Sequence, residues 1–284
     1  MAYDESRYID RFQSMRESNS IPIVDQAWLT RAQEKATLCR MSGTTSHKVF
    51  EYQDLRWLCH EDGSIQSIMW RKRPDYPVFE YVRGMLCGLL FHPAPQRLLN
   101  LGLGSGTLER YLIRNLPGAS LTSVEPDPEI QQLARSWFDL PTEHPVVMQS
   151  AQDYLINAQA TYDVIFCDIH PRSEEKNPLN QDAFLAELAR ALRPHGVVAI
   201  NLLPEDEQDI VGLLLRIRRH LPCIVLFDVP RQQNLVVYGG TMTLPDRDTL
   251  EARMRASTRH EALAGQQLLQ DFIWLPEVRP SSPL

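Results

Sequence analysis

The sequence predicts an α/β protein. Its main body is a seven-stranded, mostly parallel sheet covered on both faces by helices and ending in an antiparallel hairpin. A small antiparallel β domain precedes it. Three observations carry this reading. From residue 97 onward, short apolar runs alternate with segments of helical period, which implies a parallel sheet built through helical crossovers. Two later runs, CIVLFDV and NLVVYGG, are separated by too little chain for a crossover and must pair antiparallel. Between 47 and 70, HKVFEYQ, LRWLCH and SIQSIMW are short, aromatic and β-branched, and are divided by turn residues.

Taken in order, residues 1–43 form an N-terminal helical segment. Tyr8, Phe12 and Met15 recur at helical spacing, and a second helix begins near Asp25 before MSGTTS breaks the pattern. Residues 44–95 hold the small β domain and a linking helix. EDG at 61–63 is its hairpin turn, and PVFEYVRGMLCGLLF at 77–91 is the amphipathic helix. The Rossmann-like domain spans 96–240. Its strands are RLLNLG, SLTSVEP, HPVVMQS, YDVIFCDI and GVVAINLL, each followed by a helix, and then the hairpin. Residues 241–284 form a C-terminal tail that reads as helical and then irregular.

Composition narrows the functional classes. The 284 residues carry a net charge of −7, which argues against nucleic acid or an acidic membrane as partner. Apolar runs such as MLCGLLF are too short to span a bilayer, and the N-terminus lacks a basic-then-apolar leader pattern. A cytoplasmic location is expected. Cys39, Cys59, Cys87, Cys167 and Cys223 form no CxxC pair, and the histidines show no HExxH spacing, so reduced thiols and no metal are expected.

The chemistry gathers where the strands end. In RLLNLGLGSGTLERYL, Gly102, Gly104 and Gly106 form a turn between a strand and a helix. Glycine permits positive φ, and the helix start offers unpaired N–H groups to a phosphate or to the amino-acid part of an adenosyl cofactor. Glu125 falls about 19 residues further on, at the end of the next strand, where a carboxylate can accept both ribose hydroxyls. Asp168 ends the fourth strand and faces the same crevice. With the terminal hairpin, this layout resembles the S-adenosylmethionine-dependent methyltransferases and their relatives.

Within that group the chain resembles the spermidine synthases, the polyamine aminopropyltransferases, over about residues 47–240. EDGSIQS is similar to the family's DGxxQ-like turn, FEYVRGM to its tyrosine-containing helix start, and the glycine loop, EPD and YDVIFCD follow in the family's order. The resemblance implies transfer of an aminopropyl group from decarboxylated S-adenosylmethionine to a polyamine-like amine, without metal. It implies Asp168 as catalytic aspartate and Glu125 as ribose-binding acid. Gln66 and Tyr81 match the active-site wall. A homodimer is expected from relatives of this type.

Several positions depart from the family pattern. Ser105 stands where the loop aspartate holds the donor's amine. His170 is near the place of a second aspartate after strand four. Ser150, with Asp153 nearby, takes the place of an adenine-contacting aspartate, and Val82 and Arg83 replace a histidine and a glutamate. Fewer acids weaken the hold on a dication, since each charge-assisted hydrogen bond is worth ~1.5–3 kcal/mol. Two alternatives follow. A methyltransferase would use S-adenosylmethionine, whose carboxylate Ser105 and the helix start tolerate better than an aspartate would. A non-catalytic relative would keep the fold for sensing or assembly. The polar loop at 170–181, HPRSEEKNPLNQ, is expected to act as a lid.

Overall fold

The computed structural model describes residues 24, 26–41, 47–60, 63–169, 177–204, 206–230, 232–256 and 268–276. The helix expected around Tyr8, Phe12 and Met15 lies outside them. Two sheets organise the chain. The first is a four-stranded antiparallel meander of β1 (Thr37–Met41), β2 (Lys48–Tyr52), β3 (Leu55–Cys59) and β4 (Ile65–Trp70). It is preceded by α1 (Gln26–Lys35), the helix expected near Asp25.

The second sheet contains β5 (Arg97–Leu101), β6 (Ser120–Val124), β7 (Val146–Val147), β8 (Tyr162–Cys167), β9 (Leu192–Leu202), β10 (Cys223–Asp228), β11 (Leu235–Gly240) and β12 (Phe272–Trp274). The strand order is β12-β10-β11-β9-β8-β5-β6-β7. Strands β7, β6, β5, β8 and β9 pair in parallel, and β11 pairs antiparallel with both β9 and β10. The expected hairpin is therefore present.

Two expectations need correction. The segment 1–43 is not helical to its end, because Thr37–Met41 pairs antiparallel with β2. Among the described residues the sheet has eight strands, not seven, because the tail returns as β12 along β10. Among the described residues of the tail, Arg247–Ala256 forms helix α8 and Leu268–Asp271 a 3₁₀ turn. Strands β1 and β12 are short edge strands, each paired with a single neighbour. Packing decides β12: Phe272 is buried against Phe91, Phe227 and Tyr238.

The central strands are apolar on both faces because helices cover both. Leu98, Val164, Phe166, Val197 and Ala199 pack on one side with α2 (Glu80–Leu86) and α3 (Thr107–Asn115). Their strand neighbours Leu99, Leu101, Ile165, Cys167, Val198 and Ile200 pack on the other with α5 (Ala151–Asn157), α6 (Asp182–Arg190) and α7 (Glu207–His220). The linking helix expected at 77–91 appears as α2 followed by a 3₁₀ turn, Cys87–Leu90. Helix α4 (Pro128–Trp137) begins with proline at its first position, capped by the Asp127 carboxylate accepting from Glu129 N at 2.9 Å. No helix of the described residues is long and apolar enough to cross a membrane.

The two sheets are packed together, and that contact builds the site. Val49, Leu58 and Met69 of the small sheet bury against Ile130, Leu133, Phe138 and Leu140 in and after α4. On the opposite face Trp28 of α1 meets Trp57 edge-on, with ring centroids 5.3 Å apart. Strand β4 is thereby held over the end of β5.

Candidate active site

The chain leaves β5 through Gly102 (φ +96°), Gly104 (φ +53°) and Gly106 (φ +76°) before α3 begins. These left-handed conformations cost a residue with a Cβ about 1–2 kcal/mol. At Gly102 a Cβ would also stand 2.2 Å from the Asp168 carbonyl oxygen. The turn and the start of the Asp168 segment are thus in direct backbone contact, joined by Asp168 N donating to Leu101 O at 2.9 Å. A Cβ on Gly104 would come no nearer to another atom than Ser67 Oγ at 3.6 Å.

A pocket opens between the two sheets. Gln66 and Ser67 of β4, Tyr81 of α2, Gly102, Gly104 and Asp168 line it, with Phe79, Leu103 and Leu108 among its apolar walls. Gln66, Tyr81, Gly102, Gly104 and Asp168, drawn from four separate stretches of sequence, converge here.

Asp168 is the one carboxylate among the described residues that line this pocket. The Tyr81 hydroxyl hydrogen-bonds to its carboxylate. Burial first, and then the charge and hydrogen bond of Asp168, hold the Tyr81 phenol well above its ordinary pKa, so it stays a neutral donor. From the other side Asn201 Nδ2 donates to Asp168 Oδ1 at 2.8 Å, and Asn201 Oδ1 accepts from Asn234 Nδ2 at 2.9 Å. The hairpin between β10 and β11 also brings Gln232, whose Oε1 accepts from Tyr81 N at 3.3 Å.

Asn201 and Asn234 escape a reading of the sequence. Asn201 has a signal: it is a lone polar residue in the apolar run GVVAINLL. Asn234, in a turn-rich loop, has none. Asn201→Ala removes one charge-assisted hydrogen bond of ~1.5–3 kcal/mol. It is expected to lower kcat about tenfold or more with little change in nucleoside affinity, as steady-state kinetics beside calorimetry would read.

The remaining expected residues stand as follows. Glu125 is buried just beyond β6. Its Oε2 accepts from Leu103 N at 3.1 Å and its Oε1 from Asp127 N at 3.0 Å, so it grips the glycine turn from below. Gly106 caps α3. Ser105 is buried, with its Oγ 3.2 Å from Thr107 Oγ1 and its N–H donating to Ser67 Oγ at 3.1 Å. Ser150 and Asp153 lie past β7 and cap α5 reciprocally: Asp153 N donates to Ser150 Oγ at 3.0 Å, and Ser150 Oγ donates to Asp153 Oδ2 at 2.7 Å. His170, with most of the loop expected to act as a lid, lies outside the described residues. Among the described residues no group of three His, Cys, Asp or Glu side chains could hold a metal ion.

Behind the glycine turn sits a buried polar cluster. Glu109 Oε1 accepts from Asn100 Nδ2 at 2.6 Å and Ser123 Oγ at 2.7 Å, and His144 Nε2 is 2.9 Å from the same Ser123 oxygen. Asn100 Nδ2 also donates to Gly102 O at 2.8 Å. Glu109 Oε2 and Asn100 Oδ1 are buried acceptors without a partner among the described residues. Burial raises the Glu109 pKa despite its hydrogen bonds to Ser123 and Asn100. An acid whose pKa is raised on folding stabilises in its neutral form. That stability is complete below the unfolded pKa and is lost as pH rises through the folded one. Glu109→Gln keeps the shape and removes the charge. It is expected to raise the melting temperature, by the equivalent of about 1 kcal/mol, more at pH 8 than at pH 5 in paired thermal melts.

The fold sets the class: it is the Rossmann-like methyltransferase fold, and a family model described as a methyltransferase domain matches residues 98–196. Within that class the chain is similar in sequence to polyamine aminopropyltransferases. The enzyme of that name from Chromobacterium violaceum is 29% identical over 175 residues, covering 60% of this chain and 67% of the relative. The one from Vibrio vulnificus is 32% identical over 162 residues, covering 54% of each chain, so the match spans only about half of that relative. The crystal structure of spermidine synthase from Thermotoga maritima superposes with a TM-score of 0.63, at 19% identity, over 85% of this chain and 84% of that one. The resemblance carried by EDGSIQS, FEYVRGM and YDVIFCD is borne out, and so is the α/β fold with its small N-terminal sheet.

Proposed function

We propose that this chain is an aminopropyltransferase, moving the aminopropyl group of decarboxylated S-adenosylmethionine to a small, polyamine-like amine. One observation carries the reading above the others: the Asp168 carboxylate, oriented by Tyr81 and Asn201, stands beside a glycine turn in a pocket roofed by the small β-sheet. An adenosyl sulfonium fits this turn, since Gly104 leaves open the space that a side chain would fill.

In the reaction, the amine nitrogen lone pair attacks the methylene bonded to the sulfonium sulfur. A C–N bond forms as the C–S bond breaks, and methylthioadenosine leaves as a neutral thioether. Asp168 anchors the attacking amine and accepts its proton. Tyr81 and Asn201 hold the Asp168 oxygens in place, and the apolar wall of Phe79, Leu103 and Leu108 limits water around the reacting carbon. The Gly102–Gly106 turn and Glu125 receive the donor's ribose and sulfonium end. Ser105, Ser150 and Asp153 belong to the donor side, and His170 to the acceptor side. The acceptor reaches the site without help from nucleic acid or membrane. A cytoplasmic homodimer completes the reading.

The test is product formation. Purified protein given decarboxylated S-adenosylmethionine and a panel of aliphatic amines is expected to release methylthioadenosine and an aminopropylated amine in equal amounts by mass spectrometry. A second reading, methyl transfer, draws on the methyltransferase-domain match and on Ser105. Methylated product from S-adenosylmethionine, with none from the decarboxylated donor, would establish it instead.

A further inference from the structure

We propose that His60 is a positioning residue that sets the charge preference of the pocket. It locks the Gln66 side-chain amide with the carbonyl oxygen on the ligand side, so that the site selects a cationic end group over an anionic one. This rests on the adenosyl-donor reading above.

One hydrogen bond fixes the orientation of the Gln66 amide. Gln66 Nε2 is bonded to His60 Nε2. An amide nitrogen only donates, so His60 Nε2 is the acceptor of a neutral ring. That contact decides which end of the amide is left for the pocket. Gln66 lines the pocket, and its Oε1 is buried without a hydrogen-bond partner among the described residues. A buried acceptor left unpaired is costly, and a ligand N–H would satisfy it.

The His60 ring is held in turn. His47, itself buried, packs against it with ring centroids 5.1 Å apart, and His47 Nδ1 lies 3.4 Å from Glu129 Oε2 on α4. The lock is therefore fastened to the helix that carries the small sheet.

The pocket's composition gives the lock a purpose. Among its described lining residues Asp168 is the one carboxylate, and Ser105 is buried with its hydroxyl against Thr107. A doubly cationic pair of substrates needs a further acceptor, and the Gln66 carbonyl supplies one without adding charge. Turned over, the same amide would present its NH₂ and suit the carboxylate of S-adenosylmethionine.

The test is calorimetric titration of wild type, His60→Gln, His60→Lys and His60→Phe with decarboxylated S-adenosylmethionine, S-adenosylmethionine and methylthioadenosine. Wild type is expected to prefer the decarboxylated form. His60→Gln keeps an acceptor for the Gln66 amide and should keep that preference. His60→Lys offers only donors, turns the amide over, and should cut the ratio of the two affinities about tenfold. His60→Phe, which releases the amide, should fall between them and serves if lysine disturbs folding. Methylthioadenosine carries neither charged end, and its affinity should stay within about threefold throughout. An unchanged ratio in both His60→Lys and His60→Phe, with methylthioadenosine still bound, overturns the role of His60 alone. Failure of wild type to bind any of the three overturns the adenosyl-donor reading, and this inference with it.

Discussion

Asp168→Asn is expected to remove turnover while leaving nucleoside binding intact. Asparagine matches aspartate in shape, and its carbonyl can still take the hydrogen bond from Tyr81. It has no charge to hold an ammonium and no lone pair basic enough to take its proton. General-base catalysis contributes about 10²–10⁴-fold, so kcat should fall by that factor. The opposite side chain also changes partner. Asn201 Nδ2 donates to Asp168 Oδ1, and an amide NH₂ at that place would force one of the two asparagines to turn. Methylthioadenosine binding should change by less than about threefold, because Glu125 and the glycine turn are untouched. Initial rates and calorimetry on the same preparation separate the two effects. Full activity in Asp168→Asn would remove the residue from the catalytic role.

Gly102→Ala is expected to damage stability and site together. The residue has φ +96°, and an added Cβ would lie 2.2 Å from the Asp168 carbonyl oxygen. The left-handed conformation costs about 1–2 kcal/mol for alanine, and a backbone clash of this kind adds about 1–3 kcal/mol. The obstructing atom is backbone, so no side-chain rotation relieves it. The melting temperature should fall by roughly 5–15 °C, and the relief available is movement of the segment that carries Asp168. Gly212→Ala is the control: it lies in α7, where an added Cβ would meet nothing within 4 Å, and should be neutral or slightly stabilising. Equal melting temperatures for the two variants would show that the close approach at Gly102 carries no cost.

Much of this architecture is legible in the chain alone. The alternation of apolar runs and helical periods is a local property, because parallel strands covered on both faces must be apolar throughout. The same holds for the hairpin of β10 and β11, since a short connection allows no other pairing. The glycine turn is legible because positive φ restricts the residue type. Asp168 is legible because it follows a fully buried strand, YDVIFC, at the end where ligands bind.

What stays hidden is decided by contacts between distant residues. Strands β1 and β12 exist because an edge is available to pair with. Ser105 has the position of a ligand-binding residue, yet its backbone N–H is taken by Ser67, 38 positions away. Asn201 meets Asp168 across 33 positions, and Tyr81 meets Gln232 across 151. The sequence by itself determined the strands β2 to β11, where the chain must turn, and which carboxylates stand at the strand ends, since those follow from periodicity and backbone sterics. The tertiary structure alone decided how those carboxylates are held and which atoms face the pocket. Hydrogen bonds have direction, and their partners come together only when the two sheets pack.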